Sequence, residues 1–115
     1  MITSTRVADP AAETAYELCR DLERVGISAT VTSCNGIALT LIRDVGLNVW
    51  CQWGEPYGWY YRWATGRVTA AGYWEFAMCS CLAHDTALRR ILARYEELRT
   101  MLGTPGRDVV CGGQQ

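Results

Sequence analysis

Apolar residues repeat with two different periods along this chain, and the order of those periods constrains the fold more than any other feature. Between Ala29 and Met78 side chains alternate at every second position, the spacing of half-buried strands. On either side the spacing lengthens to three and four residues. Ala15, Leu18, Leu22 and Val25 form one such stripe before the strands; Leu88, Ile91, Leu92, Tyr95, Leu98 and Leu102 form another after them. The chain therefore reads as helix, strands, helix.

Punctuation residues sharpen the boundaries. Asp9 is placed to cap the first helix, Pro10 suits its first turn, and Glu13 complements its dipole. Gly26 stands where a left-handed C-terminal residue is wanted, so the helix is predicted from Pro10 to about Val25. Asn35-Gly36 is a hairpin signal, Asp44-Val45-Gly46 marks the next turn, and Gly54 to Gly58 is a glycine-bracketed loop. The stretch Gly66 to Gly72 separates the last strand, around Tyr73 to Met78. Asp85 reads as the cap of the second helix, which Gly103 and Pro105 stop.

Short turns join neighbouring strands into an antiparallel meander. The predicted fold class is α+β, a two-layer sandwich. An antiparallel sheet of four or five strands carries the N- and C-terminal helices on one face and leaves the other open. With 115 residues and 12.8 kDa, residues 10–103 are read as a single domain, 1–9 as a lead and 104–115 as a disordered tail.

Charge and cysteine content limit the function classes. The net charge of −1 argues against a general phosphate binder, whose affinity comes from excess Lys and Arg. All eleven basic residues are arginine, which GC-rich coding explains more simply than selection for bidentate contacts. The six cysteines follow no secretory leader, and no stretch has the apolar length of a membrane helix. The expectation is a cytoplasmic protein with reduced thiols, no disulfide framework and no membrane partner.

Alternation through the strands predicts what the open face carries: Thr30, Thr32, Thr40, Ile42, Asn48, Trp50, Gln52, Tyr60, Arg62, Tyr73 and Glu75. In this reading Leu39 and Leu41 point to the helices, as do Trp74, Phe76 and Met78. Trp50, Tyr60, Arg62, Tyr73 and Ile42 are the candidate partner-binding residues, because aromatics with arginine dominate interaction hot spots. Cross-strand aromatic pairs also stabilise sheets without binding anything, and a register slip of one residue would exchange the faces.

Three functions compete for these residues. The favoured one is a non-enzymatic protein-interaction module, an accessory or regulatory factor that binds another protein or forms a homodimer, with no cofactor. Single-stranded nucleic acid would stack on the same aromatics beside Arg43, Arg62 and Arg67, but no RNA-recognition motif is present and the net charge opposes it. A small zinc or thiol enzyme would use Cys79, Cys81 and His84. That cluster lacks a fourth ligand unless the fold brings Cys51 or Cys34 to it. No serine elbow, phosphate loop or paired-carboxylate motif appears.

The runs Trp50-Cys51-Gln52-Trp53-Gly54, Gly58-Trp59-Tyr60-Tyr61-Arg62-Trp63, Ala87-Leu88-Arg89-Arg90 and Ala93-Arg94-Tyr95-Glu96-Glu97-Leu98 resemble a group of small, uncharacterised actinobacterial proteins. The resemblance spans roughly Ala12 to Leu98. It implies the helix, antiparallel strands, helix plan, and it assigns no activity or site residue.

Overall fold

The computed structural model describes residues 9–103, so the predicted tail and all but the last residue of the predicted lead lie outside the described residues. Helix α1 (Pro10–Arg24) is followed by strands β1 (Thr30–Cys34), β2 (Ile37–Ile42), β3 (Leu47–Gly54), β4 (Gly58–Val68) and β5 (Trp74–Ser80). A single 3-10 turn (Cys81–Ala83) then leads into helix α2 (His84–Leu102). The five strands form one antiparallel sheet in chain order, so the architecture is the α+β meander that the two periods require.

Local chemistry sets the boundaries. The Asp9 carboxylate accepts the Ala12 N–H, and Pro10 occupies the first turn of α1, where no N–H is needed. Asn35 and Gly36 both take positive φ, 52° and 81°, as the tight turn of the β1–β2 hairpin demands. The start of α2 differs from expectation. The helix begins at His84 and has no side-chain cap, while Asp85 lies in its first turn and complements the dipole from there. Ser80 caps the preceding 3-10 turn instead, accepting the Leu82 N–H.

Both helices lie on the same side of the sheet. Helix α1 packs over β1, β2 and β3, and α2 over β4 and β5. Beneath them Ala38, Ile42, Leu47, Val49, Cys51, Tyr61, Trp63 and Cys79 join Ala11, Ala15, Leu18, Leu22, Ala87, Ile91 and Tyr95 in one core. Across β3, β4 and β5 large residues stand next to small ones on this face: Trp63 pairs with Ala77, and Tyr61 with Cys51 and Cys79. The bulky β4 side chains fill the space under α2, so the neighbouring β5 positions must be small.

That requirement reverses the predicted orientation of two strands. On β2 the inward residues are Ala38, Thr40 and Ile42, leaving Ile37, Leu39 and Leu41 outward. Thr40 is buried and its hydroxyl is directed to the Ala15 carbonyl at 3.5 Å; small residues here let α1 approach closely. On β5 the inward residues are Glu75, Ala77 and Cys79, and Trp74, Phe76 and Met78 face outward. Alternation was the right period for both strands. Apolarity did not reveal the face, because the open side is the more apolar one.

Candidate functional site

The uncovered face is built from rows of cross-strand neighbours. Thr32, Leu39, Trp50, Arg62 and Met78 stand side by side across all five strands. The rows beside it place Leu41 next to Asn48 and Ala64 next to Phe76 on one flank, and Gln52 next to Tyr60 on the other. Phe76 and Met78 remain 39% and 40% exposed although they sit within a sheet.

Arg62 is the sole charged residue among the strand positions that share this face in register. Its guanidinium carbon lies 4.6 Å from the Phe76 ring centroid, a cation–π contact. Its Nε is buried and has no hydrogen-bond partner among the described residues. Arg62 is thus a cation set among Trp50, Phe76 and Met78, with one buried donor unused. At one end the face runs into a hollow lined by Trp50, Ala64, Trp74 and Phe76, with Arg94 and Leu98 of α2 on its wall.

Of the five predicted partner-binding residues, the structure brings Trp50, Tyr60 and Arg62 together on this face. Ile42 is a correction: it is fully buried against the helices, since the inward set of β2 is Ala38, Thr40 and Ile42. Tyr73 is also corrected. It precedes β5 and is 72% exposed at the sheet's end, with its backbone tied to Thr69. Glu75 lies on the helix side at the edge strand, where it accepts from Arg67 and Thr65, and both bonds hold its carboxyl below the usual range. Sequence reasoning missed Leu39, Leu41, Phe76 and Met78. On β2 and β5 the smaller residues, Ala38 with Thr40 and Ala77 with Cys79, lie under the helices, but Ile42, Tyr61 and Trp63 lie there too, so size is no general marker.

The second candidate cluster does not come together. Cys79 points its thiol toward the Ala83 carbonyl, Cys81 lies against Cys51 with the sulfurs 3.7 Å apart, and His84 turns away from both. No three His, Cys, Asp or Glu side chains converge on a metal position among the described residues.

His84 instead completes a partly buried polar link. Its Nε2 is 2.6 Å from Asp21 Oδ2 and its Nδ1 is 3.0 Å from the Tyr61 hydroxyl. A carboxylate only accepts, so Nε2–H donates to Asp21, and in the neutral ring Nδ1 accepts from Tyr61. The other Asp21 oxygen takes Arg24 at 2.5 Å. This carboxylate–imidazole–hydroxyl order resembles a catalytic relay, yet the Tyr61 hydroxyl has no path to a substrate. Tyr61 has zero exposure, and burial followed by the neighbouring Cys81 and Cys51 pushes its hydroxyl well above the usual tyrosine value. The relay thus ties α1, β4 and α2 together. Its members are 21, 61 and 84 in the chain, a separation at which no local motif signals the contact.

Comparison of the chain with protein-family models, with curated proteins and with solved structures finds no match.

Proposed function

We propose that this chain is a non-enzymatic protein-interaction module that self-associates through its uncovered sheet face, acting as an accessory or regulatory factor in the cytoplasm. One observation carries the reading: a largely apolar surface carrying Leu39, Leu41, Trp50, Phe76 and Met78, with the single cation Arg62 among them, lies opposite the only two helices among the described residues. Five strands about 4.8 Å apart and seven residues long give a face of roughly 500 Å² in flat projection. Side-chain relief brings its accessible area toward the roughly 800 Å² per partner of a standard interface.

A second copy also suits the charge pattern. A twofold contact joins residue i to j and j to i, so Arg62 need not meet Arg62. An axis passing between Arg62 and Gln52 sets each guanidinium beside the partner's Gln52, whose amide oxygen can accept from the guanidinium's terminal N–H groups. Nucleic acid is less well served, since the face offers Arg62 alone among its strand residues and the net charge is −1. A cytoplasmic setting fits the five free cysteines among the described residues.

The test replaces Trp50 and Tyr60 together by serine and follows mass by sedimentation velocity and folding by thermal melting. Loss of two anchors should weaken association at least 30-fold, on the order of 2 kcal/mol, with the fold retained. An unchanged association constant in a folded double variant would overturn the reading.

A further inference from the structure

Cys51 and Cys81 come from distant parts of the chain, the middle of β3 and the 3-10 turn that enters α2. Their sulfurs nevertheless stand 3.7 Å apart, and no other pair of cysteine sulfurs in contact is found among the described residues. Cys19 is turned to the Ala29 carbonyl and Cys79 to that of Ala83, while Cys34 lies exposed at the far end of β1. The two sulfurs differ in access. Cys51 is 1% exposed, whereas Cys81 is partly open to solvent beside Leu82, which is 97% exposed. The turn carrying Cys81 is a surface element, able to supply the movement that closes 3.7 Å to the roughly 2.05 Å of a sulfur–sulfur bond.

We propose that Cys51 and Cys81 are an oxidation site, at which hydrogen peroxide converts two neighbouring thiols into a reversible intramolecular disulfide. Peroxide meets the accessible Cys81 first. The Cys81 sulfur gives two electrons to the peroxide O–O bond and takes one oxygen, becoming a sulfenic acid as one water leaves. The Cys51 sulfur then attacks the Cys81 sulfur. The new S–S bond forms, the S–O bond breaks, and the departing oxygen leaves as a second water with the remaining thiol proton. In sum two thiols and one peroxide give one disulfide and two waters, and a dithiol reductant reverses the oxidation of the protein.

The contact sets the two thiols apart before oxidation: the hydrogen bond from Cys81 holds Cys51 below its usual value, while that bond and burial push Cys81 above its own, so the first oxidation is slow and rests on the solvent access of Cys81. The product would staple the centre of the sheet to the entry of α2 and close a loop between positions 30 residues apart.

The test uses the full chain with Cys34 and Cys111 replaced by serine, so that cross-linking between molecules and at the tail is removed. After peroxide treatment, free thiols are blocked and the protein is cut with trypsin. Cleavage after Arg43, Arg62, Arg67 and Arg89 separates Cys51 from a peptide holding Cys79 and Cys81. The expected result is a linked pair of these peptides, lighter by two hydrogens and released by dithiothreitol. The link should persist in Cys79→Ser and vanish in Cys81→Ser, and the melting temperature should rise by several degrees only where the link forms. Cys81 is partly exposed, so its serine variant should fold even if Cys51→Ser does not. Absence of the link at peroxide doses that already oxidise methionine would overturn the proposal. So would a link that survives Cys81→Ser.

Discussion

At position 61 a tyrosine hydroxyl is enclosed between the Thr14 carbonyl at 3.4 Å and His84 Nδ1 at 3.0 Å. Burial makes its proton harder to remove than the ordinary value near 10 implies. The sign of the consequence follows from proton counting. Above about pH 10 the unfolded chain releases this proton while the folded chain keeps it, so stability falls as pH rises through and beyond that value. Tyr61→Phe should cost about 1–3 kcal/mol near neutral pH, because it leaves His84 without a partner on one side. The variant should also lose less stability than the wild type between about pH 8 and about pH 11, measured by urea denaturation at each pH. Equal alkaline losses would show that Tyr61 is not the responsible group. Ile42 presents the complementary case, fully buried where an exposed contact was expected. Ile42→Ala should cost about 2–5 kcal/mol in the same assay, through lost burial and the cavity left behind.

The strands and their connections explain why some faces were legible and others were not. On β3 and β4 the inward residues are apolar or aromatic and the outward set includes Asn48, Gln52 and Arg62, so alternation identified both faces. On β2 and β5 the outward residues Leu39, Leu41, Phe76 and Met78 are larger than the inward Ala38, Thr40, Ala77 and Cys79. Hydrophobicity alone then selects the wrong side, because on these two strands the open face carries more of the bulk, while most of the large residues under the helices come from β3 and β4. The β4–β5 pairing is also irregular between Ala64 and Val68. Gly66 takes φ +92° there, and Arg94 of α2 donates its Nε–H to the Ala64 carbonyl at 3.2 Å. A Cβ at position 66 would meet the Arg94 Nη2 at 2.6 Å. Gly66→Ala should therefore destabilise by about 1–3 kcal/mol, mostly from the left-handed backbone. Arg94 is held by the Ala64 carbonyl and by Glu97, so the clash adds to the backbone cost, and Gly66→Ala in an Arg94→Ala background should remain destabilising through the backbone alone. Full recovery in that pair, read from urea midpoints, would place the cost in the clash instead.

For the molecule as a whole, the two periods and the turn residues were enough to specify helix, five-stranded meander, helix, with both helices on one side. The contacts that join distant parts were not legible. Asp21 reaches His84 across 63 positions and Cys51 reaches Cys81 across 30, and only the completed fold brings either pair together. The open face falls between these cases: Trp50, Tyr60 and Arg62 were indicated by alternation, and the aliphatic and aromatic residues around them emerged from register. If that face is where two copies meet, their orientation is constrained by Arg62. Gln52→Lys, which would set a second cation against it across the twofold, should weaken association about 10-fold or more, as like charges at an interface do.

Hydroxyl-radical footprinting of the wild-type chain at low and high protein concentration tests the self-association claim most directly, since it reports association and its location together. On concentration, Trp50, Phe76 and Met78 should become protected, while Tyr16, half-exposed on α1, keeps its reactivity. Unchanged reactivity of the sheet residues at every concentration, or protection of Tyr16 in their place, would contradict the account.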